Sequence, residues 1–599
     1  MKERTKTGLE ILQAAALIGV LGDLLLRETP WGLNAFLFVT LFVSALVLLM
    51  RRHKQERLTK TNLAMGGAMV FFASMFLIRD SEQLLVFDTL AILVIMGVLT
   101  LSSFDVKASI SGVFHYAAGF VWSGLTSAFG SFVLLGSDID WKEMPGNKLS
   151  RTLFSVLRGL AIALPLIFVF GALFMAADAA YEGLVNRTLN FDIDQIVSHV
   201  LITSILAWLT AGYFRGALAK PFSTASAAGV SSPTTRAETR PVGSVPSEFE
   251  ASAVSNEEAA GQASSDTSSF VAKVAAEPGE EPTSLPNNAT ILEHINLSDD
   301  GTQKPLSEAV GTEPAIKRDF QNLDNSKFPS VFTLGTVETV IVLGLVDLLF
   351  VSFVAVQIPY FFGGMDLVQN TPDFKLADYA RRGFGELVAV SALVLPILLL
   401  SHWLLRRDGS RVDGVFKILA GIQIALLFVI MASAVQRLVL LTGELGYGLT
   451  TVRFYPMVLM TWLAVVFLWF AFTILRGARQ HFAWGALWSA IVILGATNLM
   501  NPDAFIAQTN LRLMQQGRDF DASYNASLSD DALPTLVNSF DRLKADDAVT
   551  AFRLLLHRVC RKRDEGGLRS WNLSRQEASK ILYSTGVRPE GCYWEKKLD

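Results

Sequence analysis

Residues 331–356 read VFTLGTVETVIVLGLVDLLFVSFVAV, a run long and apolar enough to cross a lipid bilayer as one helix. Roughly 20 mostly apolar residues span the hydrocarbon core in the α-helical conformation. Inside the membrane, the backbone polar groups of such a run can be satisfied only by helical hydrogen bonds. The run therefore predicts an all-α fold, and its recurrence predicts a polytopic transmembrane helical bundle.

Runs of this kind predict about 11 spans, with 12 as the alternative. They lie at 8–27, 32–50, 62–78, 83–103, 153–177, 196–217, 333–357, 384–405, 414–436, 454–475 and 482–500. Segment 110–136 is long enough to be the twelfth, but it is rich in Gly and Ser and contains His115. We predict that it is interfacial or re-entrant, because the basic loops then fall on one side of the membrane.

The composition indicates a membrane protein and argues against a nucleic-acid partner. Hydrophobic residues make up 51% of the 599 residues, charged residues 18%, and the mean hydropathy is +0.40. The net charge of -4 is small for this length. The lipid bilayer is therefore one predicted partner. The second predicted partner is a protein that binds the C-terminal domain.

Six segments follow from these patterns. They are a four-span bundle (1–103), a cytoplasmic or re-entrant segment (104–152), a two-span segment (153–217), a linker (218–330), a five-span bundle (331–500) and a soluble helical domain (501–599). The linker is rich in Ser, Ala, Glu and Pro, which predicts disorder. Both a regulatory tail with phosphorylation sites and a plain tether fit this composition.

Loop charge predicts which side of the membrane each part occupies. Loops rich in Lys and Arg, such as 51–54 and 406–411, alternate with loops that carry fewer basic residues. Cytoplasmic loops carry the excess of basic residues. We expect the N-terminus and the linker in the cytoplasm and the C-terminus outside it, where Cys560 and Cys592 are either free thiols or a disulfide.

The soluble domain contains several helix signals. Asn501 is predicted to cap a helix that begins with Pro502, and a second helix is predicted to start at 529–531. A third covers 546–563, with Val549, Phe552, Leu556 and Val559 predicted on one apolar face. Residues 574–577 have the spacing of a capping box for a fourth helix.

Ionisable residues in or near the spans are the main candidates for a functional site. They are Asp88, Arg158, Asp178, Glu338, Asp347 and Glu386. Charges at membrane depth are costly, so they usually face the bundle interior and pair with each other. Two interpretations stay open: titrating groups on a proton- or cation-coupled transport path, or static ion pairs that fix helix register.

No sequence motif predicts catalysis. Phosphate-binding glycine loops, nucleophile elbows and metal-ligand spacings do not occur, so we predict no catalytic, cofactor-binding or metal-binding residues and favour a protein that is not an enzyme.

Several short motifs carry a resemblance to a known bacterial group. They are LRGLAIALP (157–165), QIPYFFGG (357–364), DYARRGFGEL (378–387), ASAVQR (432–437), GLTTVR (448–453) and NPDAFI (501–506). In this order they resemble the multi-pass membrane proteins known as domain of unknown function 4173 and the related 4153 group. The resemblance implies a location in the bacterial cytoplasmic (inner) membrane and no particular activity.

Four residues within or beside these motifs form a candidate interfacial motif: Tyr379, Arg381, Arg437 and Arg453. Tyr and Arg at a membrane boundary either anchor in lipid headgroups or contact a ligand at the outer surface. The sequence as a whole predicts a membrane scaffold or sensor for envelope partners. The alternative is a proton-coupled transporter of small molecules or lipids.

Overall fold

The computed structural model describes residues 3–104, 106–140, 193–218, 333–362, 384–405, 410–439, 441–442, 448–561 and 567–584. Within these residues the chain is helical, and its one β-bridge joins Leu334 to Leu405. The predicted span 153–177, the linker from residue 219 onward and Cys592 lie outside the described residues.

Eleven long helices form the main body of the described chain. They are α1 (Glu3–Leu26), α2 (Leu33–His53), α3 (Lys60–Ile78), α4 (Glu82–Thr100), α5 (Val113–Val133), α6 (Ile193–Leu218), α7 (Thr336–Phe362), α8 (Phe384–Leu404), α9 (Ser410–Val439), α10 (Thr451–Thr473) and α11 (Phe482–Met500). Eleven candidate spans of the described part are long and apolar enough to cross a membrane. Ten coincide with predicted spans, which confirms the all-α polytopic fold. The eleventh, Val113–Asp138, falls on the segment predicted to be interfacial or re-entrant.

Contacts between helix termini define two ends of the bundle. At one end, His53 lies 2.9 Å from Glu10, and Asn62 donates to Ser102 at 2.8 Å. We call it the Arg51 end, because Arg51 closes α2 there. The opposite end holds the turn between α3 and α4, and we call it the Arg79 end after the residue in that turn.

Two hydrophobic clusters fill the bundle, and α11 touches both. The first lies among α1–α4 and α6, and the second among α7–α10. Phe482 at the start of α11 belongs to the second cluster, whereas Trp488, Ile491 and Leu494 pack against the first. Because α11 is apolar on all sides, it can join two cores that other helices would keep apart.

Helix α5 packs against the Arg51 end of α4 and against the second half of α6, from Trp208 onward. A Cβ on Gly97 would lie 2.7 Å from the Phe120 backbone, and a Cβ on Gly130 would lie 2.8 Å from the Gly212 carbonyl oxygen of α6. Small residues allow such close helix crossings. Just beyond α5, Asp138 pairs with Arg4 and, at 2.6 Å, with Arg215.

Five shorter helices follow α11, in the segment predicted from the sequence to be a soluble domain, and we keep that name for it: α12 (Pro502–Gln515), α13 (Ala522–Ser527), α14 (Leu533–Val537), α15 (Ala545–Arg561) and α16 (Leu573–Ser584). The predicted cap at Asn501 is confirmed, since its side chain accepts a hydrogen bond from the Ala504 N–H at 3.3 Å. Asn501 also adopts φ +58°, a left-handed conformation that Asn tolerates, and so ends α11 and begins α12.

The structure modifies two expectations for this domain. Val549 and Phe552 are 49% and 38% exposed, and Ala551 and Leu555 form the buried face of α15 instead. The amphipathic pattern was real, but packing against α13 selected the adjacent stripe. The capping box also fails, because Asn572 Oδ1 accepts from the Arg575 N–H at 3.1 Å and α16 starts earlier. Ser574 is therefore available for a different contact.

Candidate functional site

Asp88 of α4 and Asn498 of α11 form a buried pair that joins the two helices. The Asp88 side chain is fully buried, and Asn498 Nδ2 donates to its Oδ1 at 2.8 Å. Asn498 is also fully buried. Within the described residues, Asp88 Oδ2 and Asn498 Oδ1 make no hydrogen bond. Each residue of the pair thus has one acceptor atom without a described hydrogen bond at membrane depth, where an unsatisfied polar atom is costly.

Arg79 connects this pair to the bundle surface. Its Nε donates to the Asn498 carbonyl at 2.7 Å, and its Nη2 donates to the Leu499 carbonyl at 3.1 Å. These carbonyls belong to the last turn of α11, where carbonyls have few or no backbone donors within the helix. The positive guanidinium also interacts favourably with the partial negative charge at that helix end.

Asp531 of the soluble domain completes the network. Its Oδ2 accepts hydrogen bonds from the Asp80 and Ser81 N–H groups at 2.8 and 2.9 Å. Its Oδ1 is 3.8 Å from Arg79 Nη1 and is hydrogen-bonded to the Ser574 hydroxyl. Ser81 is the N-cap residue of α4 but makes no capping bond with its own side chain. Asp531 therefore binds the N-terminal end of α4 from a segment 450 residues later in the chain.

Burial governs the protonation of this cap. Removal of Asp531 from water raises the pKa of its carboxyl above its usual range, because a charged form loses hydration on burial. The hydrogen bonds from Ser574 and the Asp80 N–H and the charge of Arg79 oppose that rise. Burial is the larger effect, so the net shift of the Asp531 pKa is upward.

Helix α16 makes a second set of contacts with the same turn. Arg575 Nε donates to Asp80 Oδ1 at 2.6 Å. Asn572 Nδ2 donates to the Phe76 and Arg79 carbonyls at 2.9 and 2.8 Å. Side chains of the soluble domain therefore satisfy polar groups at the end of α3 as well as at the start of α4.

The turn between α1 and α2 also binds the soluble domain. The Leu33 N–H donates to the Trp571 carbonyl at 2.9 Å, and Arg569 donates to the Leu24 carbonyl at 2.6 Å. A Cβ on Gly32 would lie 2.5 Å from the Trp571 carbonyl oxygen. Only glycine fits this close approach of two backbones.

We call the connected set Asp88, Asn498, Arg79, Asp531 and Ser574 the polar junction. It runs from membrane depth to the soluble domain and involves α4, α11, the α3–α4 turn and α16. Sequence reasoning singled out Asp88 alone. Asn498 had a signal that was not used, since an amide inside an apolar span usually has a polar partner. Asp531 and Ser574 had none, because each resembled an ordinary helix start.

Asp347 lies in a different environment. It is 6% exposed in α7, and neither carboxyl oxygen makes a hydrogen bond within the described residues. Gln423 of α9 is fully buried, and its two side-chain polar atoms likewise have no described hydrogen bond. Asp347 and Gln423 lie about 17 and 20 Å along their helices at 1.5 Å per residue. Since α7 and α9 both start at the Arg51 end, the two residues are at similar depth.

The structure places the other predicted residues apart from both acids. Glu338 and Glu386 are exposed in the first turns of α7 and α8, which begin at opposite ends of the bundle. Arg437 is buried late in α9, and Arg453 Nη1 donates to the Gly448 carbonyl. Arg158, Asp178, Tyr379 and Arg381 lie outside the described residues.

Two further ionisable residues that the sequence places in or near the ends of predicted spans, Asp23 and His199, join α1 to α6. His199 Nδ1 is hydrogen-bonded to Asp23, and Arg27 lies 3.5 Å from the same carboxyl. Among the described residues, no group of His, Cys, Asp and Glu has a geometry that could hold a metal ion.

Comparison with known proteins identifies a family. The family described as Domain of unknown function (DUF4153) matches residues 66–245 and 312–539. The matched residues include Asp88, Asp347, Asn498 and Asp531, and the break between them falls within the predicted linker. No curated protein and no solved structure matches the chain. The resemblance to the 4173 group therefore stays a prediction.

Proposed function

We propose that this chain, which belongs to the family Domain of unknown function (DUF4153), acts as a membrane sensor or scaffold for envelope proteins rather than as an enzyme. It is an integral membrane protein. The observation that carries the proposal is the capping of α4 by Asp531, because α4 also holds Asp88. The soluble domain and the membrane-buried acid thus act on the same helix.

This arrangement supports energetic coupling between the two regions. A change in the protonation or the pairing of Asp88 alters the position of α4 relative to α11, and the α4 N-terminus is the surface on which Asp531 docks. Coupling between sites is reciprocal, so binding of a partner to the soluble domain would also affect Asp88. A sensor requires this two-way relation.

The exposed face of α15 supports a protein partner. Val549 and Phe552 lie on one face of this helix of the soluble domain and are 49% and 38% exposed. Apolar side chains grouped on a water-facing surface commonly mark protein interaction sites. In our proposal the partner covers this face while the polar junction holds the opposite side of the domain on the bundle.

Photo-crosslinking in the full-length protein tests the partner. A photoreactive amino acid at Phe552 is expected to give discrete adducts in native membranes, whereas the same group at exposed Lys580 on α16 is the control. Adducts at Phe552 that disappear in Asp531→Ala would show that docking presents the surface. Equal or absent labelling at both positions would contradict the scaffold proposal.

We further propose that the Arg51 end faces the cytoplasm and that the soluble domain lies on the outer side of the bacterial inner membrane. Described basic residues near the Arg51 end include Arg51, Arg52, Lys54, Lys60, Lys107, Arg411, Arg476 and Arg479. The turns at the Arg79 end between α1 and α4 have only Arg27 and Arg79 in the described chain. An excess of basic residues marks cytoplasmic loops.

In this proposal helix α5 is interfacial or re-entrant and enters the bundle from the Arg51 end. A helix of its 21 residues is about 31 Å long and could cross the membrane by length. Its contacts support an orientation that does not span the membrane, because Gly119 meets the end of α4 and Asp138 meets the start of α1. A spanning helix would reach the Arg79 end with one of its termini.

Cysteine accessibility tests both statements. With Cys560 and Cys592 replaced by Ser, single cysteines at Lys54 and Lys580 are expected to react from opposite sides with a membrane-impermeant maleimide. Cysteines at Lys107 and Ser137 flank α5 and are expected to react from the same side as Lys54. Labelling of Lys107 and Ser137 from opposite sides would show that α5 spans the membrane.

Proton-coupled transport of a small molecule or lipid is the second candidate function. The observation that favours it is the absence of hydrogen bonds to Asp347 and Gln423 in the described residues, since buried polar atoms without partners suit a ligand or a transferred proton. In proteoliposomes, a pH gradient is expected to drive proton flux that Asp347→Asn removes without loss of folded protein. Wild-type flux that persists in both Asp347→Asn and Asp88→Asn would contradict this mechanism.

A further inference from the structure

A cavity of about 690 Å³ lies at the Arg51 end, away from the polar junction. It is an open concave space bounded by the start of α5, the end of α8 and the turn between α10 and α11. The lining residues are Lys107, Val113, His115, His402, Arg479 and Phe482, together with others from the same elements. Neither of the functional proposals above uses this cavity.

The described lining carries positive charge. Lys107, Arg479, His115 and His402 line the cavity, and none of the described lining residues is acidic. Lys107 and Arg479 are exposed to the solvent side. Two permanent cations with two protonatable imidazoles around one concave space attract an anion.

The backbone of α5 adds to this attraction. Gly112 is the N-cap of a 21-residue helix and provides no side-chain cap for the first turn. The first N–H groups of a helix lack partners within the helix and carry partial positive charge. Gly112 and Val113 both line the cavity, so the helix start faces the same space as the basic side chains.

One wall of the cavity is apolar. Leu399, Ile474 and Phe482 line it, and the rings of Phe114 and Trp403 lie 4.5 Å apart beside them. The cavity is located where α8 and α10 end, which is the depth of the lipid headgroups for a spanning helix. Basic pockets between membrane helices at this depth are suited to anionic headgroups.

We propose that this cavity binds a phosphate monoester or diester anion and that its source is the headgroup of an anionic phospholipid. The basic side chains and the helix start contact the phosphate, and the apolar wall contacts the first part of an acyl chain. Free phosphate shares the anionic chemistry but cannot use the apolar wall, so the wall favours the lipid.

The test uses the full-length protein purified in a zwitterionic detergent. Three probes are added separately: phosphatidylglycerol, phosphatidylcholine and inorganic phosphate. Native mass spectrometry counts bound lipid, and thermal unfolding measures stabilisation by each probe. The variant Lys107→Gln/Arg479→Gln removes both permanent cations of the cavity, and Arg51→Gln/Arg476→Gln is the control, with two exposed cations at the same end that do not line it.

The wild type and the control are expected to retain phosphatidylglycerol and to be stabilised by it, with little effect of phosphatidylcholine. The cavity variant is expected to bind phosphatidylglycerol at least about tenfold more weakly, since each basic group near a membrane surface contributes noticeably to anionic lipid binding. Stabilisation by inorganic phosphate as strong as that by phosphatidylglycerol would support the anion site and overturn the lipid source. Equal binding of phosphatidylglycerol by both variants would overturn the proposal.

Discussion

Two regions of the bundle each contain one buried carboxylic acid: the contact of α4 with α11 and the core among α7–α10. The two acids differ in their hydrogen bonding. Asp88 receives a hydrogen bond from Asn498 and is connected through Arg79 to the soluble domain. Asp347 has no described hydrogen bond, and the second cluster packs around its helix α7. We therefore expect the same residue type to have opposite effects on stability in the two regions.

The largest effect is expected from breaking the polar junction at its water-facing end. Asp531→Ala removes the cap from α4, the partner of Ser574 and the charge opposite Arg79, and is expected to cost about 3 kcal/mol of unfolding free energy. Chemical denaturation in detergent, with limited proteolysis of the soluble domain, measures the loss. Exposed Asp541 provides the control, and a cost for Asp541→Ala equal to that for Asp531→Ala would refute the docking role.

Asn498→Leu tests the membrane-depth end of the junction. It leaves the Asp88 carboxyl without its donor and is expected to cost about 1–3 kcal/mol, because a buried acceptor loses its only described partner. The double variant Asp88→Leu/Asn498→Leu removes both polar groups and is expected to recover most of that loss. Additive costs in this double-mutant cycle, measured by thermal unfolding, would show that the two residues do not interact energetically.

Asp347→Leu is expected to have the opposite sign. Because the Asp347 carboxyl has no described hydrogen bond to lose, an apolar side chain of similar shape is expected to stabilise the protein by about 1–2 kcal/mol. Asp88→Leu in the same assay is expected to destabilise it. If both substitutions destabilise the protein to the same extent, the proposed difference between Asp88 and Asp347 in their effect on stability is wrong.

The smallest effect is a pH dependence of docking. The pKa of Asp531 is raised by burial, so its protonated form is favoured in the folded protein. The stability that this shift contributes is fully present below the ordinary Asp pKa and is lost as the pH rises through the raised value. Wild-type stability is therefore expected to fall with rising pH relative to Asp531→Asn. A parallel pH dependence for both proteins would exclude Asp531 as the titrating group.

Sequence reasoning reached the fold more completely than the candidate site. Ten spans were predicted near their observed positions, because twenty apolar residues have few alternatives to a membrane helix. Asp88 was identified because a charge in an apolar run is conspicuous. Its partner Asn498 and the cap Asp531 are 410 and 443 residues away by number, and no local pattern connects residues so distant.

The soluble domain illustrates why local patterns can mislead. The capping-box spacing at Ser574 and the apolar stripe with Val549 were both present in the sequence. Asn572 caps α16 instead, and Ala551 and Leu555 provide the buried face of α15. In both cases the choice between two locally reasonable arrangements depended on packing against another element.

The sequence by itself determined the solvent and the helical class of this protein, because hydrophobic length fixes which segments leave water and backbone hydrogen bonding then requires helices. Tertiary structure alone decided which buried acid has a partner, which residue caps α4 and where the soluble domain binds. Those outcomes depend on contacts between residues hundreds of positions apart. These contacts contribute to stability only when the helices have packed.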